Sequence, residues 1–197
     1  MTRVDQTIEN RKLLMVIARR TIQTEWPLPN GYHFASVTKS DKDAWCALHV
    51  ETGLFNNKEE AQDQFEQMIQ EDQDFFQTHF IKVIDEQGKL VASAGLWWGH
   101  HFGIKRLRIH YVSILEAHQN KGIARSMLTK LCIQYDQIPN KYPLYLSTQT
   151  QSYNAIKVYT KLGFTPYLGA YEGHSQSESE KDWEFATKIL KEKSKVC

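Results

Sequence analysis

The chain has 197 residues, of which 24 are Lys or Arg and 23 are Asp or Glu, so its formal net charge is only +1. A nearly neutral chain has no basic field to attract a polyanion, which argues against a dedicated nucleic-acid binder. With 41% hydrophobic and 24% charged residues, the chain can bury a full core, and its length suits one domain with at most an appendage. This composition excludes intrinsic disorder.

The sequence contains neither a membrane span nor a disulfide framework. Its longest apolar stretch, residues 13–18, is far shorter than the roughly 20 residues of a membrane-spanning helix and shorter than the core of a signal peptide. Cys46, Cys132 and Cys197 are few, widely spaced and odd in number, which fits neither disulfide pairing nor zinc binding. We therefore expect a cytoplasmic protein with no metal site and no membrane partner.

The first thirty residues are predicted to form an arm rather than a domain. Residues 11–20 read as a short helix, which the Pro and Gly residues that follow bring to an end. Residues 32–38 have the composition of a strand, and residues 40–41 then cap a helix. A second helix begins near Asn57, because the apolar side chains after it recur at helical spacing.

The middle of the chain changes to the two-residue period of strands. Residues 79–84 and 90–98 predict an antiparallel hairpin around a turn at residues 85–88. Residues 107–115 predict a further strand, and the continuous apolar residues at its end indicate burial on both faces.

The remaining third of the chain alternates helices with a strand. Residues 122–137 and 152–162 predict helices, and residues 144–150 predict the strand between them. The polar stretch at residues 173–181 is predicted to be mobile, with Asp182 capping a last helix. This order favours an α/β or α+β layer on one mixed sheet. We divide the chain into an arm at 1–30, a domain at 31–170, and a polar loop with a C-terminal helix at 171–197.

The segment that joins the 107–115 strand to the following helix is the most informative part of the sequence. The loop and first helical turn contain Gly122 and Ala124, with Lys121 and Arg125 beside them. Backbone N–H groups and the positive dipole end of a helix N-terminus hold phosphate oxygens, and small residues let these oxygens approach. The pattern leaves two interpretations open, a pyrophosphate site and a turn that needs glycine only for its backbone angles. It matches neither a Walker A loop nor the GxGxxG fingerprint.

Two motifs in order resemble those of the GCN5-related N-acetyltransferases, and the resemblance covers most of the chain. Residues 119–124 (QNKGIA) are similar to the family's Q/R-x-x-G-x-G/A signature, where the family binds acetyl-CoA. Residues 152–164 (SYNAIKVYTKLGF) are similar to its N-x-x-A-x-x-x-Y-x-x-x-G-F segment. The chain departs from the commonest family residues at Glu116, Ala124 and Ser152.

This resemblance implies a fold, an activity and a set of cofactor contacts. The fold is a mixed, mostly antiparallel sheet flanked by helices, which splays open into a V-shaped cleft for acetyl-CoA. The activity is transfer of the acetyl group to a primary amine by direct attack, without a metal. The implied cofactor contacts are Val112, Ser113, Ile114, Gln119, Asn120, Lys121, Gly122, Ile123, Ala124, Arg125, Ser152 and Asn154.

Tyr159 is the residue that the resemblance implies as the general acid for the departing thiolate. A phenol with a reference pKa of about 10 is protonated at neutral pH. The spacing of Tyr159 from Ala155 and Leu162 fits a plain core aromatic equally well. No residue is assigned as the general base.

The acceptor side is predicted from aromatic residues that precede the cofactor loop. If Trp97, Trp98, His110 and Tyr111 face the cleft, their rings favour a small, partly apolar amine. The same four residues also fit a core, and His110 a structural histidine. We expect a small-molecule acceptor and a monomer or homodimer. Two alternatives stay open: a CoA-binding module without catalysis, and an enzyme of this fold that uses a longer acyl-CoA or a protein or peptide amine.

Overall fold

A computed structural model describes residues 4–194 and pairs seven strands of this part of the chain into one open sheet. The prediction made for Cys197 lies outside the described residues. Across the sheet, all neighbouring strands are antiparallel except the fifth and sixth. The strands are β1 (Lys12–Ile17), β2 (Tyr32–Ser36), β3 (Phe80–Asp85), β4 (Leu90–Gly99), β5 (Arg106–Ile114), β6 (Leu144–Gln149) and β7 (Thr165–Pro166), in the order β2-β3-β4-β5-β6-β1-β7.

Five α-helices within residues 4–194 flank this sheet. They are α1 (Lys42–Glu51), α2 (Lys58–His79), α3 (Ile123–Gln137), α4 (Tyr153–Lys161) and α5 (Gln176–Glu192). Helix α2 bends at Asp72, whose backbone is extended and whose carboxylate accepts the Phe75 N–H at 3.0 Å. Asp72 thus caps the second part of α2, which continues as a helix after the bend. None of the helices in the described part of the chain combines the length and the apolarity that crossing a bilayer requires.

The core lies on both faces of the sheet because side chains alternate along β4. Leu96 joins the larger hydrophobic cluster, to which α3 and α4 contribute, whereas Trp97 joins an aromatic cluster formed with α1 and α2. The observed layers confirm the predicted fold class. The hairpin β3–β4, strands β5 and β6, and the helices that follow Asn57 and Gly122 lie where the sequence predicts them.

The predicted helix in the N-terminal arm is wrong. Residues 12–17 form strand β1, which pairs with β6 on one side and β7 on the other. Leu13, Leu14 and Met15 are all buried. A strand that is covered on both faces has no alternation to distinguish it from a short helix, so the apolar run was ambiguous. The segment is an interior strand of the sheet rather than an arm.

The prediction that residues 173–181 are mobile is also wrong in part, because α5 already begins at Gln176. Its cap is Ser175 rather than Asp182. The Glu178 carboxylate accepts the Ser175 N–H at 2.7 Å, and the Ser175 hydroxyl accepts the Glu178 N–H at 3.3 Å. This reciprocal capping box starts the helix in a polar segment, and Ser179 and Trp183 then turn inward.

Candidate active site

Strands β5 and β6 pair only near their beginnings. Their paired residues are Arg108 with Tyr145 and Ile109 with Leu146, and residues 110–114 have no partner on β6. Neighbouring parallel strands normally continue their ladder of hydrogen bonds along their length. The sheet therefore opens between the two strand ends, as the resemblance implies.

A bulge in β5 lies just before this opening. Gly95 of β4 pairs with His110, but Ser93 pairs with Ser113, so β5 holds one extra residue between them. Tyr111 sits in this extra stretch with φ +51, a left-handed conformation. The bulge breaks the side-chain alternation and directs Val112 and Ser113 into the opening.

Two cavities lie at this opening, and we call them the large and the small cavity. The large cavity has a volume of about 1140 Å³. Its walls are the end of β5 and of β6, residues 4–6 and 51–54, and four further residues: Asn10, Lys12, Ser152 and Tyr159. Most of these residues carry hydroxyl, amide or charged groups, so the large cavity suits a polar molecule.

The small cavity, of about 610 Å³, begins at Ile114 and extends over the predicted phosphate loop to α4. Three cationic side chains, Arg125, Lys157 and Lys161, line it, and no Asp or Glu among the described residues does so. A wall with positive charges and no carboxylate suits a polyanion. Asn154 faces this cavity, whereas Ser152 faces the large one, so the start of α4 separates the two.

The backbone of the loop matches this chemistry. Gly122 is the N-cap of α3 at φ +91, and Asn120 also has a positive φ of +59. Within residues 4–194, no backbone N–H from 120 to 125 donates to an acceptor. Six such N–H groups at and just before a helix N-terminus have the chemistry to bind phosphate oxygens. The side chain of Gln119 braces the loop by donating from Nε2 to the Ile114 carbonyl at 3.1 Å.

Residues 42–164 match the model of the acetyltransferase (GNAT) family. The chain belongs to the GNAT family. The description of this family is that of acetyltransferases. No curated protein matches the chain significantly.

Solved structures of GNAT proteins share the fold. A GCN5-related N-acetyltransferase from Sphaerobacter thermophilus is 15% identical over 80% of this chain and 48% of its own, with a TM-score of 0.61. A GNAT acetyltransferase from Colwellia psychrerythraea is 13% identical over 81% and 54%, with a TM-score of 0.58. A glucosamine N-acetyltransferase region of a fungal multi-domain protein is 11% identical over 84% and 20%, with a TM-score of 0.52. The chain spans about half the length of the first two solved chains.

Tyr159, the predicted acid of this GNAT protein, lies on α4 with its side chain at the wall of the large cavity. It is only 3% exposed, and burial raises its pKa above the ordinary value of 10. The phenol therefore stays protonated throughout the neutral range. A buried, protonated hydroxyl at a cavity wall has the chemistry of a general acid.

Ser113 is held by two residues of α1 and its C-terminal turn that sequence reasoning missed. His49 Nδ1 and Thr52 Oγ1 lie 2.8 Å and 2.9 Å from the Ser113 hydroxyl. Burial lowers the pKa of His49 to about 3, so this histidine is neutral. Ser113 thus faces the large cavity with its hydroxyl fixed from behind. No sequence signal links these residues, because about sixty positions separate them.

The four residues predicted to contact the acceptor do not line either cavity. Trp97 is buried against Phe80 in the aromatic cluster, and Trp98 stacks on Phe75 at a ring distance of 5.3 Å. The prediction relied on the position of these aromatic residues before the cofactor loop, which does not show that α2 covers this face of β4. The core interpretation of the two tryptophans is the one that agrees with the structure.

His110 and Tyr111 are also kept from the cavities, in this case by the β5 bulge. Their rings stack at 3.6 Å instead of pointing to opposite faces. Arg108 donates from Nη2 to His110 Nε2 at 2.6 Å. Burial, and then the charge of Arg108, lower the pKa of His110 well below its usual range. His110 is therefore a neutral histidine whose Nε2 already accepts a hydrogen bond from Arg108. This agrees with the interpretation of His110 as a structural histidine.

Cysteine and metal chemistry find no support in the described residues. Burial raises the pKa of the Cys132 thiol to about 12, so it is no nucleophile at neutral pH. Residues 4–194 contain no group of three or more His, Cys, Asp or Glu side chains arranged to hold a metal ion.

The charged residues of the large cavity differ in how they are paired. Asp5 accepts from Lys193 Nζ at 2.8 Å, and this contact lowers the pKa of Asp5 to about 2. Glu51 and Lys12 have no oppositely charged partner within salt-bridge distance in the part of the chain that the structure describes. The large cavity therefore offers one uncommitted carboxylate and one uncommitted ammonium group.

Proposed function

We propose that this GNAT protein transfers the acetyl group of acetyl-CoA to the primary amine of a polar small molecule. One observation carries the proposal: the small cavity, with its cations and backbone N–H groups, shares the end of β5 and helix α4 with the large cavity that contains Tyr159. A co-substrate with its phosphates in the first cavity would extend its thioester toward the second.

The residues of the small cavity fit the cofactor in charge and in backbone orientation. Residues 120–125 would hold the pyrophosphate through their N–H groups, with the Arg125 side chain adding charge. The Lys121 side chain, also expected to add charge, does not line this cavity and donates from Nζ to the Tyr32 hydroxyl at 3.2 Å. Leu115 donates its N–H to Val91 on the β4 side at 2.9 Å. Because hydrogen-bonding direction alternates along a strand, the backbone of Ile114 faces away from β4, toward the gap, and its carbonyl accepts from Gln119 Nε2. The pantetheine would lie along this end of β5.

The chemistry follows from what the chain places around the gap. Bound acetyl-CoA supplies an activated acyl group as a thioester. Tyr159 would donate its phenolic proton to the sulfur as the carbon–sulfur bond breaks. The uncommitted Glu51 carboxylate would attract the acceptor as an ammonium ion and restrict its motion in the large cavity. The ammonium ion would release a proton to solvent and attack the thioester carbonyl carbon as a neutral amine. The adduct nitrogen would lose its second proton to solvent as the carbon–sulfur bond breaks, and solvent would return a proton to Tyr159.

The lining of the large cavity also favours a polar acceptor. Ser147, Thr148 and Gln149 contribute hydroxyl and amide groups, which recognise a hydroxylated or otherwise polar molecule. A basic protein tail would need several uncommitted carboxylates, whereas Glu51 is the one that this cavity offers among the described residues. We therefore revise the expected acceptor from a partly apolar to a polar amine.

An assay of thiol release from acetyl-CoA tests the proposal. The panel would contain amino sugars, amino alcohols and amino acids, apolar monoamines, and lysine-rich peptides, with propionyl-CoA and butyryl-CoA as alternative donors. We expect the highest kcat/KM for acetyl-CoA with a polar small amine. Binding of CoA without thiol release would indicate a binding module. Preference for peptides or for a longer acyl-CoA would contradict the acceptor or the acyl assignment.

A further inference from the structure

The segment of residues 25–27 is docked along the first turns of α3. The Trp26 N–H donates to Thr129 Oγ1 at 2.9 Å, and the Ser126 hydroxyl donates to the Pro27 carbonyl at 2.8 Å. Glu25 adds an ion pair with Lys130 at 3.3 Å. The backbone of Trp26 is therefore fixed relative to the helix that starts at the phosphate loop.

The Trp26 side chain has no part in the core. It is 44% exposed and belongs to none of the buried clusters of the described residues. Its indole stacks against the guanidinium of Arg125, and the distance from the Arg125 Cζ to the ring centroid is 3.4 Å. The indole Nε1 is also 3.9 Å from the position that a Cβ on Gly122 would occupy. A large exposed ring thus sits at the opening of the small cavity.

This stacking leaves the hydrogen-bonding edges of Arg125 available. An arginine that stacks on an aromatic face keeps its N–H groups in the plane of the guanidinium, pointing away from the ring. No carboxylate within residues 4–194 lies at salt-bridge distance from Arg125. An oriented, uncommitted guanidinium beside six N–H donors is suited to bidentate binding of a phosphate group.

We infer that Trp26 is a positioning residue for the nucleotide part of acetyl-CoA, which acts by holding Arg125 at the mouth of the small cavity. The inference rests on the proposed function, because it requires a phosphate-bearing co-substrate there. It adds a residue that lies outside both motifs and outside the span of the family match.

Calorimetric titration with CoA and with pantetheine, which lacks the nucleotide phosphates, tests this inference. The variants are Trp26→Ala, Arg125→Ala, their double variant, and Trp26→Phe, which keeps an aromatic face. We expect Trp26→Ala to raise the Kd for CoA roughly twofold to tenfold, as for loss of a cation–π contact, and to leave the Kd for pantetheine unchanged. In the Arg125→Ala background the tryptophan substitution should have no further effect, and Trp26→Phe should stay close to the unsubstituted protein.

The outcomes separate this inference from the proposed function. An unchanged Kd for CoA in Trp26→Ala, an equal loss for CoA and pantetheine, or additive losses in the double variant would each overturn the role of Trp26. Failure of the unsubstituted protein to bind CoA would instead overturn the proposed function, and the inference with it. The KM for acetyl-CoA should rise in Trp26→Ala together with the Kd for CoA.

Discussion

The hydroxyl of Tyr159 is the group on which the proposed catalysis depends. Tyr159→Phe removes the proton donor but keeps the buried ring, which packs near Phe164 at a ring distance of 6.0 Å. We expect kcat to fall by roughly 10²–10⁴, as for loss of a general acid, while the Kd for CoA is unchanged. Steady-state kinetics and calorimetry would measure the two quantities.

Tyr153→Phe is the matched control for this prediction. Tyr153 lies on the same helix but lines neither cavity, so its hydroxyl should be dispensable for turnover. Because the pKa of Tyr159 is raised, the unsubstituted enzyme should retain its acid at pH values up to about 10. Near-full kcat in Tyr159→Phe would show that another group protonates the thiolate.

Glu51 offers a second test at the scale of a single residue. Glu51→Gln removes the uncommitted carboxylate of the large cavity with little change in shape. We expect the KM for the amine to rise roughly tenfold, because a charge-assisted hydrogen bond is lost, while the KM for acetyl-CoA is unchanged. Glu59→Gln, on the exposed side of α2, is the control. An unchanged KM for the amine would remove Glu51 from the acceptor site.

The predictability of these residues from the sequence depended on whether a local motif contained them. Tyr159 and Gly122 lie within motifs whose spacing is fixed by a helix and by a strand-to-helix turn, so both reach a cavity. Trp97 and His110 were assigned from their position before the cofactor loop, which reveals neither the β5 bulge nor the covering of β4 by α2. Glu51 had no local signal, because its position relative to the cavity comes from tertiary packing.

At the scale of elements, the turn from β5 into α3 carries the cofactor site. Gly122→Glu would place a carboxylate beside the six N–H groups, at a position with φ +91. We expect the Kd for CoA to rise at least roughly tenfold, since like charges would repel and the phosphate would lose its contacts. Calorimetry would measure it.

Gly88→Glu is a matched control for the loop substitution. Gly88 has φ +78 in the β3–β4 turn, with no neighbouring atom within 4 Å of an added Cβ. Both substitutions therefore add the same charge and a similar strain of about 1–2 kcal/mol. Only the Gly122 variant should lose affinity for CoA. Equal losses in the two variants would mean that strain or net charge, rather than the loop, determines binding.

Helices and strands were predictable where the spacing of their apolar residues matched the faces that the fold buries. The helical spacing after Asn57, the hairpin turn before Leu90 and the period of α3 each have one structural interpretation, and each element was predicted. Strand β1 had no period to detect because both of its faces are buried. The start of α5 was missed because its capping box lies in a segment whose composition resembles a loop. The local sequence was enough to predict the first three elements. Strand β1 and the start of α5 depend on which side chains the rest of the chain buries, and the local sequence does not show this.

At the scale of the whole molecule, the two cavities combine segments that are far apart in the chain. The large cavity joins residues 4–6, the end of α1 and the start of α4, and the small cavity has Trp26 at its mouth. Short motifs define only the cofactor side, since that side is built from one continuous loop and one helix. The acceptor side depends on how distant elements pack, which explains why the expected acceptor changed from partly apolar to polar.

Three buried histidines make the stability of the whole fold depend on pH. Burial lowers the pKa of His49 to about 3 and of His101 to about 4, and the pKa of His110 lies well below its usual range. Unfolding returns each group to a pKa near 6.5. Below that value the unfolded chain binds protons that the folded chain excludes. The free energy of unfolding therefore falls as the pH falls from 6.5, by up to about 1.4 kcal/mol per pH unit for each histidine.

Urea unfolding between pH 8 and pH 5 would measure this dependence, above the range in which carboxylates with a lowered pKa, such as Asp41, take up protons. In His49→Gln one titrating group is absent, so the slope of unfolding free energy against pH should decrease. The decrease should be less than a third, because His79 and His118, whose pKa values burial also lowers, contribute to the slope. The value at pH 8 reports the packing cost of the substitution, because the histidines are neutral in both states there. A variant with a lower free energy of unfolding at pH 8 but the same slope as the unsubstituted protein would show that His49 takes up a proton in the folded state, contrary to its burial beside Ser113.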